Sequence, residues 1–227
     1  MCFSASASFG AGIVLGVIGV AAIKKVSHPS QILFASIPLI FCVQQITEGF
    51  LWLALASPGH VLLKDFTTYT FLSFAQIIWP LYVPLAILLF QEKEKRKLIS
   101  KVLVGIGAIV SLYLAFCLMS FPVEAKIIGY HISYVQNYPA AISKYCGLLY
   151  VIATIAPALL CGIKRMWYLG MVILVSYIIT KIFYTDYVVS VWCFFASVIS
   201  IVVFAIISDI KKLSKHFPTV SRIKFTG

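Results

Sequence analysis

Gln44-Gln45-Ile46-Thr47-Glu48-Gly49-Phe50-Leu51-Trp52 lies inside an apolar run that reads as a membrane span. Gln44, Glu48 and Trp52 stand at i, i+4 and i+8, so a helix carries them as one stripe. Glu48 is the one carboxylate within any clear span. An ionised acid at mid-bilayer costs roughly 3 kcal/mol on insertion scales. Glu48 therefore faces the interior of a helix bundle, carries a proton, or has a cationic partner. Intramembrane acids mark functional sites by default, the plainer alternative being a buried structural ion pair or hydrogen bond.

The rest of the chain supports a membrane reading. Of 227 residues, 62% are hydrophobic and only 11% charged, too few charges to cover a soluble surface. The net charge of +11 would suggest nucleic acid in a soluble chain. Here the basic residues fall in short clusters between apolar runs, so no nucleic-acid partner is expected and the lipid bilayer is. No secretory signal pattern is seen at the start, since Lys24 and Lys25 follow the first apolar stretch.

The expected fold is all-α, an integral membrane bundle of seven transmembrane helices in one domain over residues 1–208. The spans run at about 7–23, 30–56, 66–90, 99–121, 141–163, 167–184 and 187–207, each close to or beyond the roughly 20 residues a crossing needs. Gly12, Gly16 and Gly19 in the first span allow a close helix neighbour. In the third, Gln76, Pro80 and Pro84 share a face, and each proline leaves the carbonyl four residues earlier without its partner. Lysines and arginines cluster in every second loop, which puts the N-terminus outside and the C-terminus inside. The basic tail at 209–227 is expected on anionic lipid of the inner leaflet. The segment from Pro122 to Ala140, rich in aromatic residues, is expected to lie as a loop on the membrane interface.

Depths follow from the rise per residue. Lys181 lies about 5 Å below the outer surface, Cys117 about 6 Å, Cys193 about 9 Å, Glu48 about 12 Å and Gln76 about 15 Å. Polar residues thus converge on the outer half. Glu48, Cys2 and His131 are the candidate catalytic residues, and the same three are candidate ligands of a metal ion, the one cofactor the sequence suggests. Lys181, Tyr134, Trp52, Gln44 and Cys193 are candidate pocket residues, with Lys181 a possible charge partner of Glu48. Lys181 could equally snorkel to the surface. Asp186, Ser190, Cys193, Ser197 and Ser200 form a small polar seam better suited to packing than to a substrate path. No metalloprotease, phosphate-loop or serine-hydrolase motif is present.

Met1-Cys2-Phe3-Ser4, Gln44-Gln45-x-x-Glu48-Gly49-x-x-Trp52, Trp79-Pro80, His131-x-x-Tyr134, Ala153-Thr154 with Pro157, and Ser190-Val191-Trp192-Cys193-Phe194 together resemble an uncharacterised family of bacterial multi-pass membrane proteins. The resemblance runs from Met1 to about Ile206 and implies the bacterial plasma membrane. It supplies no activity. The leading expectation is an outward-facing polar pocket that binds a small molecule or a metal, with catalysis left open. The alternatives are a transporter or channel, and a membrane sensor or scaffold.

Overall fold

The computed structural model describes residues 4–57, 59–91, 94–183 and 195–216. Ser4 opens the first helix, α1 (Ala5–Ile23), by accepting a hydrogen bond at its hydroxyl from the Ala7 backbone N–H. An N-cap serine satisfies one of the amides that a helix start leaves orphaned. The second apolar run is broken near its start into a 3₁₀ turn (Pro29–Gln31), a short α2 (Ile32–Ala35) and α3 (Ile37–Ala56). Pro38 brings no N–H to the ladder, and at this joint the Leu33 carbonyl accepts from both Ser36 Oγ and the Tyr82 hydroxyl, each at 3.0 Å.

α1 and α3 run antiparallel in one continuous register. Phe9 meets Gly49, Gly12 meets Ile46, Gly16 meets Cys42 and Gly19 meets Leu39. A Cβ at Gly12 would stand 2.8 Å from the Ile46 side chain. The small residues of the first span thus hold the close helix contact expected of them.

The third span is one apolar stretch from Val61 to Phe90 in three parts: α4 (Val61–Leu72), a π-helical turn (Ser73–Ile78) and α5 (Trp79–Phe90). Its cause is legible in the chain. Pro80 has no N–H for the Gln76 carbonyl, so the α ladder loses a bond at this point. Neighbouring helices take up the displaced carbonyls: Tyr150 donates to Ala75 O, and Ser111 donates to Ile77 O at 2.7 Å. The Pro80 carbonyl, which Pro84 leaves over, faces Gly107 on α6 (Glu94–Ser120). A Cβ on Gly107 would fall within contact distance of that oxygen, so only glycine fits there.

Residues 123–136 correct the expectation of an interfacial loop. They form an antiparallel hairpin, β1 (Val123–Ile128) with β2 (His131–Gln136), so the fold is mainly rather than wholly helical. Gly129, with φ of 60°, makes the two-residue turn. α7 (Ala140–Leu160), α8 (Lys164–Phe183) and α9 (Ala196–His216) complete the bundle.

Among the described residues, five helical stretches are long and apolar enough to cross a membrane: Ala5–Ile23, Pro29–Ala56, Val61–Phe90, Lys97–Ser120 and Arg165–Phe183. α7 contributes a shorter apolar stretch, Tyr145–Leu160. The start of the seventh expected span falls on residues 184–194, outside those described, and α9 runs to His216, past the expected end at 207.

Three of the basic clusters meet at one end of the bundle. Lys211 Nζ donates to the Lys24 carbonyl at 3.1 Å, Arg165 pairs with Asp209 at 3.6 Å, and Lys25 lies over the Phe204 ring. Above this end sits the main apolar core, which includes Phe34, Val83, Ile87, Phe90, Met166, Leu169 and Val203. The hairpin lies at the other end, where Ala125 and Ile132 pack on Leu51 and Trp52.

Candidate functional site

Between the core and the hairpin lies a half-open cavity of about 300 Å³. α3 contributes Phe41 and Gln44, the π turn Ala75 and Gln76, and α5 Trp79 and Val83. α6 adds Tyr113, the end of the hairpin Gln136 and Tyr138, α7 Cys146, Tyr150 and Thr154, and α8 Ile173 and Tyr177. The walls are chiefly aromatic and aliphatic, set with uncharged hydrogen-bonding groups. No acidic, basic or histidine side chain is among the described residues that line it.

The polar groups are fixed by neighbours. Gln44 is fully buried and accepts from Trp79 Nε1 at 2.8 Å, and the Trp79 ring stacks on Phe41 with centroids 4.0 Å apart. Gln76 reaches the cavity because the π turn carries it, and its Oε1 accepts from the Tyr138 hydroxyl at 3.1 Å. Burial, helped by the nearby Cys117 thiol, pushes the Tyr138 phenol up to about 12, although the Gln76 bond pulls the other way. Tyr138 therefore stays a neutral donor at any physiological pH. Two groups lack such anchors. Gln136 Nε2 and the Tyr113 hydroxyl are buried atoms with no hydrogen-bond partner among the described residues. The Cys117 thiol lies beside Tyr113, but sulfur is a weak acceptor.

One family model matches residues 1–216. The chain belongs to DUF6629, a family of unknown function. No curated protein and no solved structure matches it. The matched region ends with α9 at His216, so the DUF6629 fold takes in the whole bundle and the hairpin.

This DUF6629 chain distributes the residues singled out in its sequence over three places. Gln44 is in the cavity wall. Glu48, one turn along, is fully buried and accepts from Gln45 Nε2 at 3.2 Å. Trp52 and Tyr134 come together beneath the hairpin, where Tyr134 also stacks on Phe71 with centroids 5.2 Å apart. Strand alternation turns Ile132, Tyr134 and Gln136 toward the bundle and places His131 on the other face. Burial lowers the His131 pKa. Lys181 is exposed in the last turn of α8. Cys2 and Cys193 lie outside the described residues. Among those described, no three His, Cys, Asp or Glu side chains gather as a metal site.

Tyr113, Gln136 and Tyr150 were not singled out as site residues in the sequence. The hairpin register brings in Gln136 two residues after Tyr134 on the same face. For Tyr150, which braces the π turn, the signal available was Pro80, whose broken ladder demands a donor from elsewhere.

Proposed function

We propose that this DUF6629 member is a seven-span membrane protein that binds a small uncharged molecule in the cavity beneath its hairpin. The observation that carries the reading is the pair of buried donors, Gln136 Nε2 and the Tyr113 hydroxyl, lining an otherwise aromatic and aliphatic space. Each unmade bond costs about 1–3 kcal/mol. A ligand with a carbonyl or ether oxygen would recover that cost. The ring-lined walls favour a flat or branched apolar body, and the volume suits a small one. A bare ion would meet no counter-charge among the described wall residues, which speaks against ionic ligands.

The seven spans comprise the five long apolar helices, α7 and α9. The positive-inside rule puts the basic end in the cytoplasm of a bacterial cell, the hairpin and cavity outside, and the basic end against anionic lipid. The reading is binding rather than acid–base catalysis, since the described wall residues include no histidine or carboxylate. Metal ligation by Glu48, His131 and Cys2 is a separate reading that needs Cys2 to complete it.

Native mass spectrometry of the full chain from mild detergent tests the proposal. The expected result is a co-purified neutral molecule of a few hundred daltons, lost in the double variant Gln136→Leu, Tyr113→Phe. A wild-type protein that carries no adduct, and whose thermal stability no neutral compound in a broad screen raises, would sink it.

A transport reading has one observation in its favour. Two interrupted helices, at the α2–α3 joint and at the π turn, both border the cavity, and transporters build midplane sites from broken helices. Solute uptake by proteoliposomes separates transport from binding alone.

A further inference from the structure

The half-open cavity reaches the surface on the side of the bundle, between α6 and α7. Among the described residues that line it, Gly147 of α7 alone is exposed. A Cβ on Gly147 would meet nothing within 4 Å, so the space beside it is open. α6 packs along α7, and its Tyr113 and Leu114 share the lining with Cys146 and Gly147. Close by in the chain, Leu112, Phe116 and Leu148 are exposed and apolar, as a face turned to lipid requires. Leu114 lies roughly 10 Å from the Ser120 end of α6, and Gly147 roughly 10 Å from the Ala140 end of α7, at 1.5 Å per residue. In the span arrangement proposed above that is hydrocarbon depth. A molecule that enters here comes out of the bilayer.

The wall limits what that molecule is. Among the described wall residues the buried polar atoms left unmet are two donors, Gln136 Nε2 and the Tyr113 hydroxyl. The acceptors Gln44 Oε1 and Gln76 Oε1 already receive Trp79 and Tyr138. The head of the ligand therefore presents carbonyl or ether oxygens. Phe41, Trp79, Tyr150 and Tyr177 offer electron-rich ring faces, which suit a flat electron-poor ring. At about 300 Å³ the cavity is at the small end of ligand pockets. It has room for a ring system and none for a long chain as well, so a chain leaves through the mouth.

We infer that the ligand is a prenylated quinone, its ring in the cavity and its hydrocarbon tail passing into lipid between α6 and α7 beside Gly147. The inference rests on the cavity being a binding site, and adds the class of ligand and the way in.

Tryptophan fluorescence of the full chain in mild detergent tests it, with Trp79 in the wall as reporter. The probes are a benzoquinone with a decyl tail and the same ring without the tail. Both should quench saturably in the wild type, and the double variant Gln136→Leu, Tyr113→Phe should weaken both. Gly147→Phe puts a ring into the mouth at a position where no neighbour has to move. It should raise the half-saturating concentration of the tailed probe by about tenfold or more and leave the tail-less ring as in the wild type. Wild-type affinity for the tailed probe in Gly147→Phe would overturn the inference, as would quenching that never saturates. A neutral adduct in native mass spectrometry that neither quinone displaces would remove the quinone and leave the binding reading standing. A protein with no adduct and no quinone response loses both.

Discussion

At the basic end, Arg165 meets Asp209, Lys211 holds the Lys24 carbonyl, and a broad apolar core lies directly above. At the hairpin end the apolar clusters are small, and the buried groups include Gln44, Gln45, Glu48 and Gln76. Charge at the first end stays half exposed, where it contributes little. The buried polar groups at the second end are, among the described residues, uncharged apart from Glu48, and there each missing bond is expensive. Apolar packing is therefore concentrated at one end and buried polarity at the other.

Three measurements break or sharpen that contrast. The largest effect is expected where the two regions join, at the contact of Gly107 with the Pro80 carbonyl. Gly107→Val should cost about 3 kcal/mol or more, because backbone rather than a flexible side chain must move. Unfolding of the detergent-solubilised variant by denaturant checks it, and a wild-type midpoint would show that α5 and α6 can part freely.

A smaller effect is expected at the hairpin. His131 has its pKa lowered from 6.5 by burial, so the folded state prefers the neutral ring. Its contribution is complete above pH 6.5 and is lost as pH falls through the lower folded value. The wild-type thermal midpoint should drop in that window, and His131→Gln should flatten the drop. A steeper fall in the variant would contradict the burial of a neutral ring.

The smallest is expected at the basic end. The Arg165–Asp209 pair is exposed by more than a third on both sides, so Arg165→Ala should change stability by about 0–1 kcal/mol. A cost well above that, at high salt as at low, would make this pair part of the core's support.

Much of this organisation was legible in the chain. Glycines 12, 16 and 19 announced the α1–α3 contact, the Gln44–Glu48–Trp52 stripe is buried as its spacing required, and Gln76 with Pro80 marked the break in the third span. The hairpin was missed because its tyrosines suggested an interface. The competing signal was alternation, with Ala125, Ile132 and Tyr134 inward against Glu124 and Lys126 outward. The cavity was missed in part because its partners come from distant elements. Tyr138 and Gln76 are 62 positions apart, and Tyr150 and Ala75 are 75 apart. No local period encodes such pairings, which only the packing of α7 on the π turn creates.

The π turn also sets a phase. One residue wound in excess rotates everything after it by about 100° relative to an unbroken α-helix. Phe71 and Leu72 before it pack toward Leu118 and Tyr134 of the hairpin, while Trp79 and Val83 after it face the core and the cavity. A single residue deleted between Ser73 and Ile78 would therefore let the span wind as α-helix with α5 still presenting its present face, whereas rewinding the turn as α-helix without a deletion would rotate α5 by about 100°.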